Sequence, residues 1–335
     1  LYLAKTDREM QGFEDWTDHA RAHQLDTLLM TGAETAAMLN GAVAPWKGAL
    51  YTASDARAEP WTAVPTLAAR AQEMGVQIRE ACAVRALDLA GGKVVGLLTE
   101  AGRVACAQVV VATGAWSRLF LGRHGVKIPQ LSVLASVAAT EPMPEIFPGN
   151  AADDDFAFRR RADGGYSIAP GGSAHDFFIG PDAFRSFGSF WPVLKQDIRA
   201  TTFRPMAPKG FPDAWGTPRR WAEDAVSPFE KTRILNPAPN LRTLGKVQDA
   251  FARAFPSLGR PRLKAAWGGM IDTLPDVVPI VDHGPIAGLT IATGMSGHGF
   301  GIGPGIGRVV ADLVTGGHIG HDLGRFRFAR FSDGT

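Results

Sequence analysis

The chain has 335 residues, 45% of them hydrophobic and 20% charged, with 39 glycines and 23 prolines; this is long and apolar enough for two domains with their own cores, and it argues against predominant disorder. A formal net charge of +2, with Arg159, Arg160 and Arg161 as the one compact basic run, argues against a nucleic-acid footprint, and so short a run reads as a solvated strand face. No apolar stretch reaches the length of a membrane span and the opening LYLAKTDREMQG is not a signal peptide, so a soluble cytoplasmic protein is expected.

Residues 1–4 read as a strand, and 15–25 and 32–39 as helices, the second preceded by Thr31 as a cap. Residues 41–55, GAVAPWKGALYTASD, read as a Pro/Gly-punctuated loop carrying Trp46, Lys47 and Tyr51, of which Trp46 and Tyr51 read equally well as packed aromatics. An amphipathic helix over 60–74 stops at Gly75. Strands are expected at 76–79, 83–89, 94–99 and 103–107, with Gly91 and Gly92 turning the second into the third. Residues 109–117, VVVATGAWS, form a buried-strand run ending in a small, glycine-bearing turn. The two cysteines, Cys82 and Cys106, lack metal-ligand spacing and read as reduced, buried and structural.

From 118 to about 265 the strand-helix alternation lapses and Pro, Phe and Arg become richer. Residues 131–140 and 156–170 read as antiparallel strands, the latter a hairpin turned at Asp163, Gly164 and Gly165; 191–199 and 244–255 read as helices. Between the helices, 203–240 is a long Pro-rich connection of a kind that is often functional or mobile. The expected division is one domain from 1–117 and 266–335 and a second from 118–265.

The final stretch, LTIATGMSGHGFGIGPGIGRVVADLVTGG, reads as strand, glycine-rich loop and helix. Residues 289–293 are apolar and β-branched, as in a buried parallel strand. Pro304 suits the first helical position, Ile306, Val309, Val310 and Leu313 recur at helical spacing, and Gly316 is the C-terminal stop. Unpaired N–H groups at such a helix start favour an anion, either a phosphate or the electron-rich ring of a reduced cofactor. The dinucleotide spacing G-x-G-x-x-G is not met: from Gly299 the third glycine falls on Pro304, and from Gly303 on Arg308. A lone glycine-rich loop reads as a tight turn, but a second strand ending in a small turn at 109–117 points to one shared ligand crevice.

VVVATGAWS and ATGMSGHGFGIGPGIGRVVADL, with WGGMIDTLPDVVPIVD before the latter, resemble in that order the flavin-dependent D-amino-acid oxidase family, which includes glycine oxidase, sarcosine oxidase and amino-acid dehydrogenase types. The resemblance runs over nearly the whole chain. It implies an α/β fold, with an FAD-binding Rossmann-like domain of glutathione-reductase type and a second α+β substrate domain on an antiparallel or mixed sheet. It also implies FAD as cofactor, no metal, and oxidation of the C–N bond of an amino acid or secondary amine by hydride transfer to flavin N5, giving an imine that hydrolyses. The partners implied are a small-molecule substrate and, as open alternatives, a homo-oligomer or a partner subunit, with no nucleic acid and no membrane span.

By the same resemblance, cofactor contacts fall on Val84, whose backbone lies against the adenine, on Ala112, Thr113, Gly114, Ala115 and Trp116, and on Gly294, Met295, Ser296, Gly297, His298, Gly299, Phe300, Gly301 and Ile302. The amides of 297–301 would stabilise negative charge on the reduced ring, and His298, the titratable side chain inside the loop, is the catalytic candidate. Substrate contacts fall on Trp46, Lys47, Trp267, Met270 and Ile271. Relatives that oxidise simple amino acids carry an arginine shortly after the tryptophan, whereas here the order is Trp267, Gly268, Gly269, Met270, Ile271, Asp272. Either Arg159, Arg161 or Lys47 then holds the carboxylate, or the substrate is an amine, an N-alkylated amino acid or an opine-like conjugate. Asp272 would select a cationic amine or cap a turn. Family members begin with a βαβ unit carrying G-x-G-x-x-G, and none is found near Leu1, so the expectation is that this unit is missing or lies on another chain. The competing reading is a non-catalytic subunit or fragment that does not hold FAD alone; an NAD-dependent dehydrogenase is disfavoured for want of the nucleotide motif.

Overall fold

The computed structural model describes residues 1–172, 176–197 and 201–333. The chain forms two compact units, Leu1–Val76 with Ser136–Ala174 and Ala238–Gly269, and Gln77–Ala135 with His175–Pro237 and Met270–Thr335. These boundaries differ from the expected 1–117 with 266–335 and 118–265. The cause is strand pairing: Tyr2–Ala4 lies antiparallel to Gly48–Thr52 and parallel to Asn150–Ala152, so the first residues share a sheet with segments far along the chain.

The sheet of the first unit runs from residues 136–140 of the strand Leu131–Thr140 through Tyr166–Pro170, Phe156–Arg160, Asn150–Ala152, Tyr2–Ala4 and Gly48–Thr52 to Thr27–Thr31. The expected hairpin is present, with Phe158 opposite Ile168. The expected loop at 41–55 contains a strand instead, Gly48–Thr52. Its leading glycine disguised it, yet that glycine is what permits the pairing, since a Cβ there would lie 2.3 Å from the Met30 carbonyl oxygen of the neighbouring strand. The first helix also starts earlier than expected. Asp7–Ala22 is opened by a capping box in which Glu9 N–H donates to Thr6 Oγ1 at 3.2 Å and Thr6 N–H donates to Glu9 Oε2 at 2.7 Å. Thr31 caps Gly32–Met38 as expected, with Glu34 as its reciprocal partner. Helix Leu241–Ala254 buries Leu244, Val247, Ala250, Phe251 and Ala254, a helical stripe set on Phe156, Phe158 and Tyr166. Of these, Leu244, Val247 and Phe251 each contribute about 1.5–3 kcal/mol on burial.

In the second unit, Leu289–Thr293 is buried along its whole length between Ile280–His283, antiparallel, and Val109–Val111, parallel. The meander Val84–Ala90, Lys93–Thr99 and Gly102–Ala105 turns at Gly91 and Gly92, whose φ values are +58° and +76°. Residues 76–79 form no strand. Cys82 and Cys106 are free, as expected, but only partly buried. Residues 131–135 pair antiparallel with Asp176–Phe178, which pairs parallel with Thr202–Arg204. Helix Phe187–Asp197 covers much of the expected one, and the remainder at 198 and 199 lies outside the described residues. The connection expected over 203–240 is tied down within this unit: Arg219 Nη1 meets Asp182 Oδ2 at 2.7 Å, and Arg85 grips Glu230 through two contacts of 2.9 and 2.8 Å. Arg85 and the Ser227 cap hold the Glu230 carboxyl down at about 2. Helix Gly299–Thr315 ends at Gly316, φ +71°, as expected, but starts before Pro304, which sits inside it at the cost of one backbone hydrogen bond. Among the described residues no helix is long and apolar enough to cross a membrane, and no cluster of His, Cys, Asp and Glu is arranged to hold a metal.

Candidate functional site

Within the second unit the parallel strands Val109–Val111 and Leu289–Thr293 end side by side, with Val111 opposite Ile291. Their following turns are joined by side chains. Thr293 Oγ1 donates to Ser117 Oγ at 2.8 Å, and Ser117 Oγ lies 2.9 Å from Thr113 Oγ1. Gln130, 2% exposed, donates through Nε2 to Thr293 Oγ1 and to Asp272 Oδ2, both at 2.9 Å, and accepts the Arg118 N–H at 3.0 Å. Asp272 Oδ2 also accepts the Gly294 N–H at 2.6 Å. Buried polar groups satisfied in this way fix one arrangement of the turns, because any other leaves a group unpaired.

The glycine loop follows from that anchor. Gly294, Ser296 and Gly297 have φ of +76°, +51° and +88°. A Cβ at Gly294 would sit 2.2 Å from Leu274 Cδ1, so only glycine fits. Ser296 holds a left-handed conformation unusual for a side-chain-bearing residue: its N–H donates to the Asp272 carbonyl at 2.9 Å and its hydroxyl to the Gly294 carbonyl at 3.0 Å. His298 is exposed and directly precedes the helix, without a side-chain capping bond. Ile302 N–H donates to the His298 carbonyl at 3.2 Å, so the amides of Gly299, Phe300 and Gly301 lie in the first turn, where no intrahelical acceptor exists. Phe300 is 49% and Ile302 38% exposed. Ile271 lies against the loop, its Cδ1 3.6 Å from where a Cβ on Gly297 would be.

A crevice of about 380 Å³ in the same unit is lined by Val84, Val110, Thr113, Trp116, Phe229 and Arg233, among others. It therefore brings together Val84 and the Thr113 turn, which are remote in sequence. Trp116 stands edge-on to Phe229 at 5.2 Å, Ala115 is buried beneath, and Ala112 is exposed. No atom lies within 4 Å of a Cβ built on Gly114, φ +52°, so its backbone surface is uncovered. Arg233 is held by Glu100 through contacts of 2.6 and 2.6 Å, which in turn hold the Glu100 carboxyl down at about 2. Bare backbone, small residues and free first-turn amides suit a planar, electron-rich ligand, so these residues fit a flavin nucleotide.

The expected substrate residues do not all share one unit. Met270 and Ile271 lie in the second unit, Met270 packed on Leu134 and Phe178, whereas Trp46, Lys47, Arg159, Arg161 and Trp267 lie in the first. Trp46 follows the packed-aromatic alternative: it is 6% exposed, its Nε1 donates to Asp153 Oδ2 at 3.2 Å and its ring packs on Phe255 at 6.2 Å. Lys47 is exposed and pairs with Asp7 at 2.6 Å. Trp267 is partly buried. Arg159 and Arg161, two apart on one strand face, both reach Ser167 Oγ, at 3.2 and 3.5 Å, and each also pairs with an acid, Glu59 at 3.2 Å and Asp163 at 3.2 Å. Arg160 points elsewhere, over the Tyr166 ring at 4.9 Å. The triple-arginine run is thus a set of partly buried, acid-paired side chains rather than a bare solvated face.

Gln130, Ser117 and Thr293 were not visible in the sequence, whereas Asp272 was open to a turn-capping role. The one local signal was an acid placed just after an apolar run, at Met270, Ile271 and Asp272.

The protein-family model described as "FAD dependent oxidoreductase" (DAO) matches residues 1–313. The chain is 26% identical over 285 residues to a D-amino acid dehydrogenase of Sinorhizobium medicae, covering 85% of this chain and 55% of the relative. It is 21% identical to a sarcosine oxidase subunit beta of Rhodobacter capsulatus, covering 98% of this chain and 68% of the relative. The structure resembles that of an L-amino acid deaminase from Proteus myxofaciens, solved in complex with anthranilate, with a TM-score of 0.92 and 30% identity, covering 99% of this chain and 75% of the other. The chain thus spans about half the length of the D-amino acid dehydrogenase it matches.

Proposed function

The chain belongs to the FAD-dependent oxidoreductases of the DAO family, and on that premise we propose that it oxidises the C–N bond of an amino acid or secondary amine. FAD, held by the residues named below, would supply the acceptor for a hydride from the substrate's α-carbon, and the imine so formed would hydrolyse in water. The second unit takes the role of the cofactor domain. Val84 and the turn 112–116 bind the cofactor's far end through exposed backbone, and the amides of Gly299, Phe300 and Gly301 stabilise negative charge on the ring. His298, exposed at the head of that helix, is assigned to the neighbourhood of the ring, where it donates a hydrogen bond.

The observation that carries this reading is the paired strand ends, with the Thr113 turn and the Gly294 turn tied together by Ser117 and Thr293 beside a crevice that reaches Val84. The test is a visible spectrum of the full-length protein under anaerobic titration with a panel of amino acids and their decarboxylated amines. Flavin absorbance bleached by an amino acid is the expected result. A colourless protein that takes up no FAD would overturn the proposal.

A further inference from the structure

Asp272 touches the glycine loop twice, at two of the three residues where the backbone turns left-handed. Its carboxylate accepts the Gly294 N–H at 2.6 Å and its own carbonyl accepts the Ser296 N–H at 2.9 Å. The carboxylate is buried at 8% exposure, and its Oδ2 is further engaged by Gln130 Nε2 at 2.9 Å and Thr293 Oγ1 at 3.1 Å. Oδ2 thus takes two firm internal donors, the Gly294 N–H and a Gln130 N–H, which suits the turn-capping alternative for Asp272. Its neighbours complete a template: Ile271 lies against Gly297, Leu274 fills the space that a side chain at Gly294 would need, and Leu274 N–H donates to Ser296 Oγ at 3.4 Å.

We propose that Asp272 is a positioning residue that clamps the loop 294–298 and thereby aims the first-turn amides of the helix that follows. A serine at φ +51° is held against its preference and persists only where the surroundings over-determine it. Of the contacts that do so here, the Asp272 carbonyl and carboxylate are the ones that come from outside the loop and reach its backbone directly. The direction of three amide bonds then depends on one residue, through its carboxylate and its carbonyl. This inference rests on the flavin reading for its consequence but not for its geometry.

The two roles a buried carboxylate can play here, acceptor or charge, separate by substitution. Asp272→Ala removes the acceptor; Asp272→Asn, with its amide oxygen where Oδ2 was, keeps the acceptor and removes the charge. Amide hydrogen exchange on the full-length protein without FAD, and an FAD titration of the same protein, read the result. The expectation for Asp272→Ala is exchange at least tenfold faster at Gly294, Ser296 and His298, with the strand 289–293 protected as before, and FAD bound at least tenfold more weakly. Asp272→Asn should stay within about threefold of the parent in both. If Asp272→Ala does not fold, Asp272→Ser, too short to reach Gly294 but still polar, carries the truncation arm. Unchanged loop exchange in the truncated variant would overturn the clamp, and so would Asp272→Asn behaving as badly as Asp272→Ala, which would make the charge the operative feature. A loosened loop with unchanged FAD affinity would leave the clamp standing as geometry and overturn the placement of flavin on this loop.

Discussion

The hydroxyls of Thr293 and Ser117 meet at 2.8 Å and join the end of one parallel strand to the turn that follows the other. Thr293 Oγ1 also accepts from Gln130. Replacing Thr293 with valine keeps the shape and leaves Ser117 and one Gln130 N–H without that partner, so a loss of about 1–3 kcal/mol is expected. Thr293→Ser, which keeps the hydroxyl, should lose much less. Urea unfolding checks this: the midpoint should fall for valine with an unchanged slope. Equal midpoints for both variants would mean that methyl packing, and not the hydroxyl bridge, matters here.

What could be read from the sequence was what is local. The run at 289–293, the Gly316 stop and the Asp163, Gly164, Gly165 turn each carry their signal within a few residues, and the structure places them where the pattern does. The units could not be read in the same way, because Tyr2 pairs with Leu50 and Ala152, partners 48 and 150 positions away that no periodicity announces. The same holds for the site. The glycines of the loop are conspicuous, but the Asp272 clamp depends on contacts 22 and 142 residues apart, to Gly294 and Gln130, and either residue alone looks like an ordinary polar side chain. Trp46 stayed open between two readings for the opposite reason: proline and glycine neighbours suggested a loop, while its indole N–H has a buried acceptor in Asp153.

Trp46→Phe tests the packed reading. Losing the N–H to Asp153 removes a hydrogen bond to a carboxylate that Lys5 continues to pair with at 2.8 Å, so a stability loss of about 1–3 kcal/mol is expected, with KM unchanged. Thermal unfolding and steady-state kinetics on the same preparation decide. A raised KM with unaltered stability would return Trp46 to the substrate.

Arg159→Met and Arg161→Met separate carboxylate recognition from framework pairing. If these side chains hold the substrate carboxylate, KM for an amino acid should rise tenfold or more, in keeping with about 1.5–3 kcal/mol for a charged hydrogen bond, while KM for the matching decarboxylated amine stays put. A parallel rise for both substrates would point instead to general loosening through the lost Glu59 and Asp163 pairs.

Two groups of the second unit, the half-buried His124 and the buried Asp213, titrate between pH 4 and 6.5 with opposite effects. Burial, helped by the Arg123 charge, lowers His124 from 6.5 to about 4, and its Nε2 accepts the Leu87 N–H at 3.1 Å only when neutral. As pH falls from 6.5 to 4, the unfolded chain takes up a proton that folded His124 refuses, so stability falls. Burial and the neighbouring Asp182 raise Asp213 from 3.8 to about 6, so across the same range the folded state binds the proton first and stability rises as pH falls. The expected net dependence is shallow. His124→Gln, which retains an acceptor and cannot titrate, should leave the Asp213 contribution exposed, with stability increasing between pH 6.5 and 4 by about 1–2 kcal/mol relative to the parent, after discounting for the partial exposure of His124. A pH profile parallel to that of the parent would show that His124 titrates alike in the folded and unfolded chain.

Gly299 and Gly316 flank one helix and should respond to valine in different currencies. At Gly316 nothing lies within 4 Å of an added Cβ, but φ is +71°, a conformation that costs a β-branched residue roughly 1–2 kcal/mol. Gly316→Val should therefore lower the unfolding midpoint and leave flavin binding as it was. Gly299 carries no left-handed strain, and an added Cβ there meets Met295 Cβ at 3.0 Å and Cγ at 3.3 Å, contacts that Met295 must yield to inside the loop. The new side chain also stands on the amide that opens the helix. If those amides stabilise the reduced ring, the loss of one donor amounts to about 3 kcal/mol, or more than a hundredfold in the rate of flavin reduction, with a smaller change in stability. Stopped-flow reduction and thermal unfolding of both variants give the comparison. Unchanged reduction in Gly299→Val, with equal losses of stability at the two positions, would reduce the loop to a turn and remove the flavin from it.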